Sequence, residues 1–542
     1  MAGLRGFSNE YTYAKFLADG EEQRFDEMFE SAVDKVKREI LGKRFPMYIN
    51  GKEAYASVEV EERSPINGML IGKFQVGSRE HARLAIDASR AAFQDWSGMH
   101  YEERSSIFLK AAEVFRQQKF VVAAVLSIEN GKTRYESIGE VDEAIDFLNY
   151  YSAEMEANKG YGTKRSIEGS GKTVKEGFQG APSGSEKIYL PMKPYGVFGV
   201  IAPFNFPISI STGMSTGAMI TGNTVVFKPS STENMTLLTG LYIYRILKEA
   251  GIPDGVFNYV TGPGSEIGDE LVSSPLVSGI AFTGSRKTGL GMMAKTYAAG
   301  QHKVFVVELG GKDPAVVSRN ADMDAAVEGI ASSAFGYSGQ KCSACSRVYV
   351  HESIKEEFIS KLAEKARSMK IGDPLAKGNY IGPLISKAAG ERFIASVAEA
   401  KAHGRIITGG NIVAGPSGGI YAEPTIAEIE STNRLFHEEL FIPFLVIDSF
   451  KRFDEALEKA NDTEYGLTAG LYSRNKAEIR AFSERMESGV IYINRKIGAT
   501  TGAVVGAHAF VGWKGSGTTG KGTGSRHYLQ QFMREQSISV SK

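Results

Sequence analysis

The hydrophobic positions of this chain change period along its length, and each change predicts a different kind of structure. From residue 9 to 41 apolar residues recur at helical spacing among charges, so Phe16, Leu17, Phe25, Met28, Phe29 and Val33 are expected to form the buried stripe of an N-terminal helical arm. Met47 to Ile49 reads as a strand, and the Asn50-Gly51 pair after it favours positive φ, which predicts a hairpin turn. Three long, alanine-rich amphipathic helices are predicted over 79–95, 101–130 and 133–156. Between 160 and 185 large apolar residues give way to Gly, Ser and Lys, the composition of a loop or hairpin excursion.

Beyond Tyr189 the texture becomes one of short apolar strands alternating with helices. Runs at 196–202, 224–227, 257–261, 279–282 and 304–309 have the spacing of a parallel sheet of βα units. A second alternation, with runs at 314–317, 347–350, 405–407, 444–447 and 490–493, predicts a second α/β domain. Residues 502–525 are glycine-rich, and the short apolar tail from Tyr528 to Val540 is expected to add a strand to another element.

Composition narrows the class. A chain of 542 residues that is 42% hydrophobic and 23% charged is an ordinary globular protein with room for several domains. Its 63 basic and 63 acidic residues cancel, so nothing in its charge suggests nucleic acid or an acidic membrane surface, and small molecules or other protein chains are the expected partners. No segment approaches the roughly 18 apolar residues of a membrane span. The N-terminal residues lack a signal-peptide core, and the two cysteines fit a reducing compartment, so a cytoplasmic protein is expected.

Both cysteines lie in the stretch from Gly336 to Arg347, where Gly339-Gln340-Lys341-Cys342 follows a polar loop. A cysteine nucleophile reacts as the thiolate, which a neighbouring cation or a helix N-terminus favours. Lys341 and an expected helix from about Cys342 would supply these. Cys345 would then share a helix face with Cys342, which makes a disulfide conceivable. A redox dithiol or half a zinc site is less well supported, because His302 and His351 have no paired partner and zinc needs four ligands. No metal is expected.

Other candidates sit at predicted strand ends, where open α/β sheets bind ligands. Phe282 to Gly289 places Gly284 and Ser285 between a strand and a helix, a phosphate-cradle arrangement. Lys228 follows another strand. Glu308 ends an apolar run that would desolvate it and raise its pKa toward that of a general base. Asn205, between prolines, could donate to an oxyanion. Each alone is also an ordinary turn or surface residue.

Together, in order and spacing, Asn205, Lys228, the Gly284-Ser285 turn, the run from Glu308 to Lys312 and the run from Gly339 to Cys342 resemble the aldehyde dehydrogenase superfamily, from about Met47 to the C-terminus. Within it the stretches 340–347, 498–503, 512–517 and 533–537 are similar to 1-pyrroline-5-carboxylate dehydrogenases. The resemblance implies NAD-dependent oxidation of L-glutamate γ-semialdehyde, with NADP also used. Cys342 would be the nucleophile, Asn205 the oxyanion donor and Glu308 the base for water. The coenzyme would meet Ala202, Pro203, Phe204, Lys228, Ser230 and Ser231 on one side. Gly264, Phe282, Gly284, Ser285, Gly289, Leu309, Glu439 and Phe441 complete its site. Phe204, Lys341, Ser343, Gly502, Ala503 and Phe510 would hold the substrate. Where the superfamily commonly has glycine, this chain has Ile442 and Val511, which requires ordinary backbone there.

The implied architecture is α/β: a Rossmann-like NAD-binding domain (1–172 and 195–308), a second α/β catalytic domain (309–517) and a small β oligomerisation element (173–194 and 518–542). A homo-oligomer is expected. The length leaves no further domain for a flavin barrel. Alternatives are another semialdehyde dehydrogenase, including acylating members that release the thioester to coenzyme A, and a non-catalytic protein that reuses the fold.

Overall fold

The computed structural model describes residues 7–168, 185–231, 235–415 and 418–541. The five expected apolar runs after Tyr189 form one parallel sheet. Its order is Val304–Glu308, Val277–Thr283, Val197–Ile201, Thr224–Lys228 and Phe257–Tyr259, and the hairpin Met47–Ile49/Lys52–Ala54 extends it antiparallel. Asn50 and Gly51 take φ of 52° and 72°, as the hairpin turn requires. Chain order reverses at Val197–Ile201, so a crevice opens at the carboxyl ends of that strand and its neighbours.

The three long helices run over Arg79–Gly98, Tyr101–Asn130 and Arg134–Ala157. The second is amphipathic only at its start. From Val122 to Asn130 every residue is buried, because Arg134–Ala157, Leu237–Ala250 and Glu22–Glu39 enclose it. The N-terminal arm forms Thr12–Ala18 and Glu22–Glu39. Phe25, Phe29 and Val33 are buried as expected, whereas Leu17 (51%) and Met28 (38%) are exposed and Val36 completes the stripe instead.

The second α/β unit has seven strands in the order Gly404–Thr408, Thr425–Ile429, Phe444–Phe450, Cys345–His351, Asp313–Val317, Thr468–Tyr472 and Val490–Ile493, with only Gly404–Thr408 antiparallel. Thr425–Ile429 and Thr468–Tyr472 were not expected from the sequence pattern. They are short, and Thr468–Tyr472 is buried throughout, so it shows no alternation.

The 160–185 excursion carries the strands Thr163–Glu168 and Ser185–Leu190, paired antiparallel. The tail adds Ile538–Ser541 to the latter and pairs Met533–Glu535 with Met192–Pro194. The hairpin therefore begins before the expected boundary at 173. Residues 518–532 also differ from expectation: Tyr528, Leu529 and Phe532 pack into the first core against Phe198. Aromatic side chains of this size are held by burial rather than by the strand that follows them.

Candidate active site

Cys342 stands where two cavities meet. A cavity of about 720 Å³ opens over the carboxyl ends of the first sheet, and one of about 350 Å³ lies on the other side of the residue; Cys342 lines each. The expected helix from Cys342 does not form. The helix Met323–Phe335 ends before Gly336, Tyr337 (φ 51°), Ser338 (φ 54°) and Gly339 (φ 67°) run left-handed, and Cys345–His351 follows as a buried strand. A left-handed run costs energy for residues other than glycine, and hydrogen bonds hold it in place. Tyr337 Oη donates to Asn130 O (3.1 Å), Ser338 Oγ to Gly382 O (2.8 Å), and Gln340 Oε1 accepts from Ile385 N (2.8 Å). The thiol is thus presented at the tip of a turn.

Its electrostatics also depart from expectation. Burial, then the carboxylates of Asp313, Glu439 and Glu308, push the Cys342 thiol well above its ordinary pKa. Lys341 does not oppose this, since its Nζ is paired with Glu136 Oε1 at 2.9 Å. Cys345 is buried in the core, its thiol donating to Arg347 O at 3.7 Å; both cysteines are free. The two thiols therefore share no helix face, Cys342 lying in the turn and Cys345 at the start of the strand.

Asn205 lies in the loop between Val197–Ile201 and the helix Ser209–Ile220. It is buried, lines the larger cavity, and has no side-chain partner among the described residues. Glu140 fixes the loop by accepting from Ile208 N (2.8 Å) and Ser209 N (3.2 Å), and Lys132 pairs with Glu140 from behind. Glu308 ends its strand facing the smaller cavity. Burial raises its pKa to about 7, while the Thr523 hydroxyl donates to it and opposes that rise.

Every expected coenzyme residue but one lines the larger cavity. Buried Lys228 donates to Ser231 Oγ (2.9 Å), and burial lowers its pKa to about 8; Ser231 in turn donates to Gly262 O. Ser285 caps the helix Arg286–Ala298, accepting from Thr288 N (3.3 Å). Glu439 accepts from Gly311 N (3.0 Å), with its pKa raised by burial to about 7. The exception is Gly289, which is a packing glycine: a Cβ there would lie 2.6 Å from Leu309 Cδ2. Ile442 and Val511 have ordinary backbone, and the positive φ (58°) falls on Phe441.

On the other side, Lys341, Ser343, Gly502, Ala503 and Phe510 line the smaller cavity as expected. Phe204 does not. Its ring meets Phe441 edge-on at 5.7 Å in the larger cavity, and Phe206 takes the place expected for it. Sequence reasoning missed Arg392 and Lys295 on the first side, and Lys132, Glu136, Glu143 and His508 on the second. Loop and helix residues such as Lys132 and Glu136 carry no local signal of the site, because only packing brings them to it.

A thiol beside an unpartnered amide donor, with a carboxyl of pKa about 7 across it, can form and hydrolyse an acyl adduct. The aldehyde dehydrogenase family model matches residues 52–538. The chain belongs to the aldehyde dehydrogenase family. This aldehyde dehydrogenase is 38% identical over 518 residues to 1-pyrroline-5-carboxylate dehydrogenase 1 of Halalkalibacterium halodurans, covering 94% of this chain and 95% of that one. Among solved structures, the 1-pyrroline-5-carboxylate dehydrogenase from Thermus with bound NAD superposes with a TM-score of 0.88 at 33% identity, covering 99% of each chain. Proline utilization A from Bdellovibrio bacteriovorus gives the same score and identity over 99% of this chain, which spans 53% of that longer one.

Proposed function

We propose that this aldehyde dehydrogenase oxidises L-glutamate γ-semialdehyde, the open form of 1-pyrroline-5-carboxylate, to L-glutamate with NAD, in proline catabolism. The observation that carries the reading is the position of Cys342 between the two cavities. One has the buried cation, the helix N-terminus and the carboxylate suited to a dinucleotide; the other ends on Ser343 and the Gly502-Ala503 loop, suited to a substrate carboxylate. The comparison with the Halalkalibacterium and Thermus proteins supports the same assignment.

The larger cavity fits NAD on its own residues. Lys228 would meet the adenosine ribose, Ser285 the pyrophosphate and Glu439 the nicotinamide ribose, with Ser230 and Ser231 lining the same cavity. Bound NAD supplies the hydride acceptor that converts a thiohemiacetal into a thioester. The remaining chemistry belongs to the protein. The Cys342 thiol loses its proton to solvent in the open cavity as Sγ bonds to the aldehyde carbon, and the Asn205 amide and the Cys342 N–H hold the oxygen that becomes negative. Glu308 then takes a proton from water as the water attacks the thioester carbon; the C–S bond breaks, and L-glutamate and the thiol are released. A water-activating base favours hydrolysis over transfer to coenzyme A.

The deciding experiment compares kcat/KM for the semialdehyde and for butanal. A carboxylate bound by several donors predicts a gap on the order of a hundredfold, and Ser343→Ala narrows it. Equal efficiency on the two leaves only a generic aldehyde dehydrogenase. The domain division expected from the sequence, with boundaries shifted to 163 and 533, and a cytoplasmic homo-oligomer complete the proposal. Exposed Ile538 and Val540 on an edge strand support the oligomer. Among the described residues no helix is long and apolar enough to cross a membrane.

A further inference from the structure

The Gly502-Ala503 loop is held from behind by side chains that no chemical step uses. Arg495 Nη1 donates to Thr501 O (2.9 Å) and Nη2 to Gly502 O (2.7 Å), a planar fork across two successive carbonyls. In a trans peptide the carbonyl and the N–H that follows it point in opposite directions. Gripping those two carbonyls therefore turns the N–H groups of Gly502 and Ala503 away from Arg495, on the side where the loop meets the smaller cavity. Neither N–H donates to another group among the described residues, although an amide near a cavity wall is normally paired. Gly502 is left-handed (φ 82°), the geometry that lets successive amides converge on an anion.

Two further contacts complete the brace. The guanidinium of Arg495 sits over the Tyr492 ring, 4.5 Å from its centroid, and Arg495 O accepts from Tyr472 Oη (2.7 Å). His508 Nδ1 accepts from Val504 N (3.1 Å), which fixes the next peptide of the loop and leaves the imidazole proton on Nε2.

We infer that Arg495, seconded by His508, is a positioning residue of the carboxylate subsite, orienting the Gly502 and Ala503 amides and setting the preference for aldehydes that carry a distal carboxylate. The inference rests on the substrate reading above for the identity of the nest's occupant. A cation hydrogen-bonded to the carbonyl also polarises the amide of the same peptide, so each N–H becomes a better donor.

The test uses the full-length enzyme with Arg495→Ala and Arg495→Lys, measuring kcat and KM for the semialdehyde and for butanal and the Kd of L-glutamate by calorimetry. Arg495→Ala is expected to lower the semialdehyde-to-butanal ratio of kcat/KM by roughly tenfold, mainly through KM, and to weaken L-glutamate by a similar factor. Arg495→Lys recovers part of each. His508→Ala shifts the ratio the same way by less, and His508→Gln, which keeps an acceptor, restores it. If Arg495→Ala fails to fold, Arg495→Gln, uncharged but able to meet one carbonyl, is judged by the same ratio. A ratio unchanged from wild type, whether both efficiencies fall together or neither does, overturns the positioning role. A wild-type enzyme without preference refutes the substrate reading and this role with it, whereas a wild-type preference that survives in the variants refutes this role alone.

Discussion

On the coenzyme side, Lys228, Ser230, Gly284 and Ser285 lie within a few residues of strand ends in one parallel sheet. On the substrate side, the wall is gathered from the loop at Lys132, the helices Arg134–Ala157 and Ser209–Ile220, the turn after Gly339, and the 501–510 and 523 segments. The first cavity is a property of a βα repeat, so its residues follow from short motifs. The second exists only because distant segments pack together. A local error on the coenzyme side costs one residue, as with Gly289, whereas on the substrate side whole helices escaped notice. Cys342 belongs to each side, and Asn205 and Glu308 divide between them.

That division can be broken most severely at the shared residue. Cys342→Ala abolishes turnover while leaving NAD and L-glutamate binding, measured by calorimetry, within about twofold of wild type. Glu308→Gln, on the substrate side, still gives a burst of reduced coenzyme near one per active site but loses on the order of a hundredfold in steady-state rate, because hydride transfer precedes hydrolysis. An undiminished steady rate in that variant removes Glu308 from the mechanism.

Asn205→Ala, on the coenzyme side, lowers kcat by roughly a hundredfold, the usual loss for an oxyanion donor. Its burst is slowed as well, which separates it from Glu308→Gln; a normal burst would place Asn205 outside the oxyanion site.

Coenzyme choice gives a smaller effect. Ser231 presents no carboxylate beside Lys228, so NAD is expected as the principal coenzyme with measurable use of NADP. Ser231→Glu is expected to reduce the NADP-to-NAD ratio of kcat/KM by roughly tenfold through charge repulsion. Strict rejection of NADP by the wild type at millimolar concentration contradicts this and makes Glu233, two residues after Ser231 and outside the described residues, the side chain to replace next.

The smallest effect is on pH. Glu308 works as the carboxylate and has a pKa of about 7, so the hydrolysis-limited rate falls as pH drops below that value, by about tenfold per unit well below it. The Thr523 hydroxyl stabilises the charged form. Thr523→Val therefore raises the pKa and moves the acid limb to higher pH; a limb that stays in place or moves lower assigns it to another group.

Much of the fold was legible in order. The five parallel strands, the long helices and the Asn50-Gly51 hairpin follow from period and turn chemistry, since side chains a few residues apart decide them. The missed strand Thr468–Tyr472 lacks alternation because it is buried throughout, and Thr425–Ile429 is too short for its pattern to stand out. The expected helix at Cys342 failed for a related reason. Its glycine-rich approach is compatible with a helix start, but the left-handed run is stabilised by Asn130, Gly382 and Ile385, which no local window contains.

By itself the sequence determined the family and pointed to Cys342, Asn205, Glu308 and nearly all of the residues that line the larger cavity, because these residues occur in short runs at strand ends. Tertiary structure alone decided the direction in which the pKa of the thiol moves, upward through burial and through Asp313 and Glu439, with adjacent Lys341 paired to Glu136. It also decided that Phe206 rather than Phe204 lines the smaller cavity, and that Arg495 grips the carbonyls of Thr501 and Gly502. Charges and hydrogen bonds act through space over a few ångströms, and chain order does not record which distant groups come within that reach.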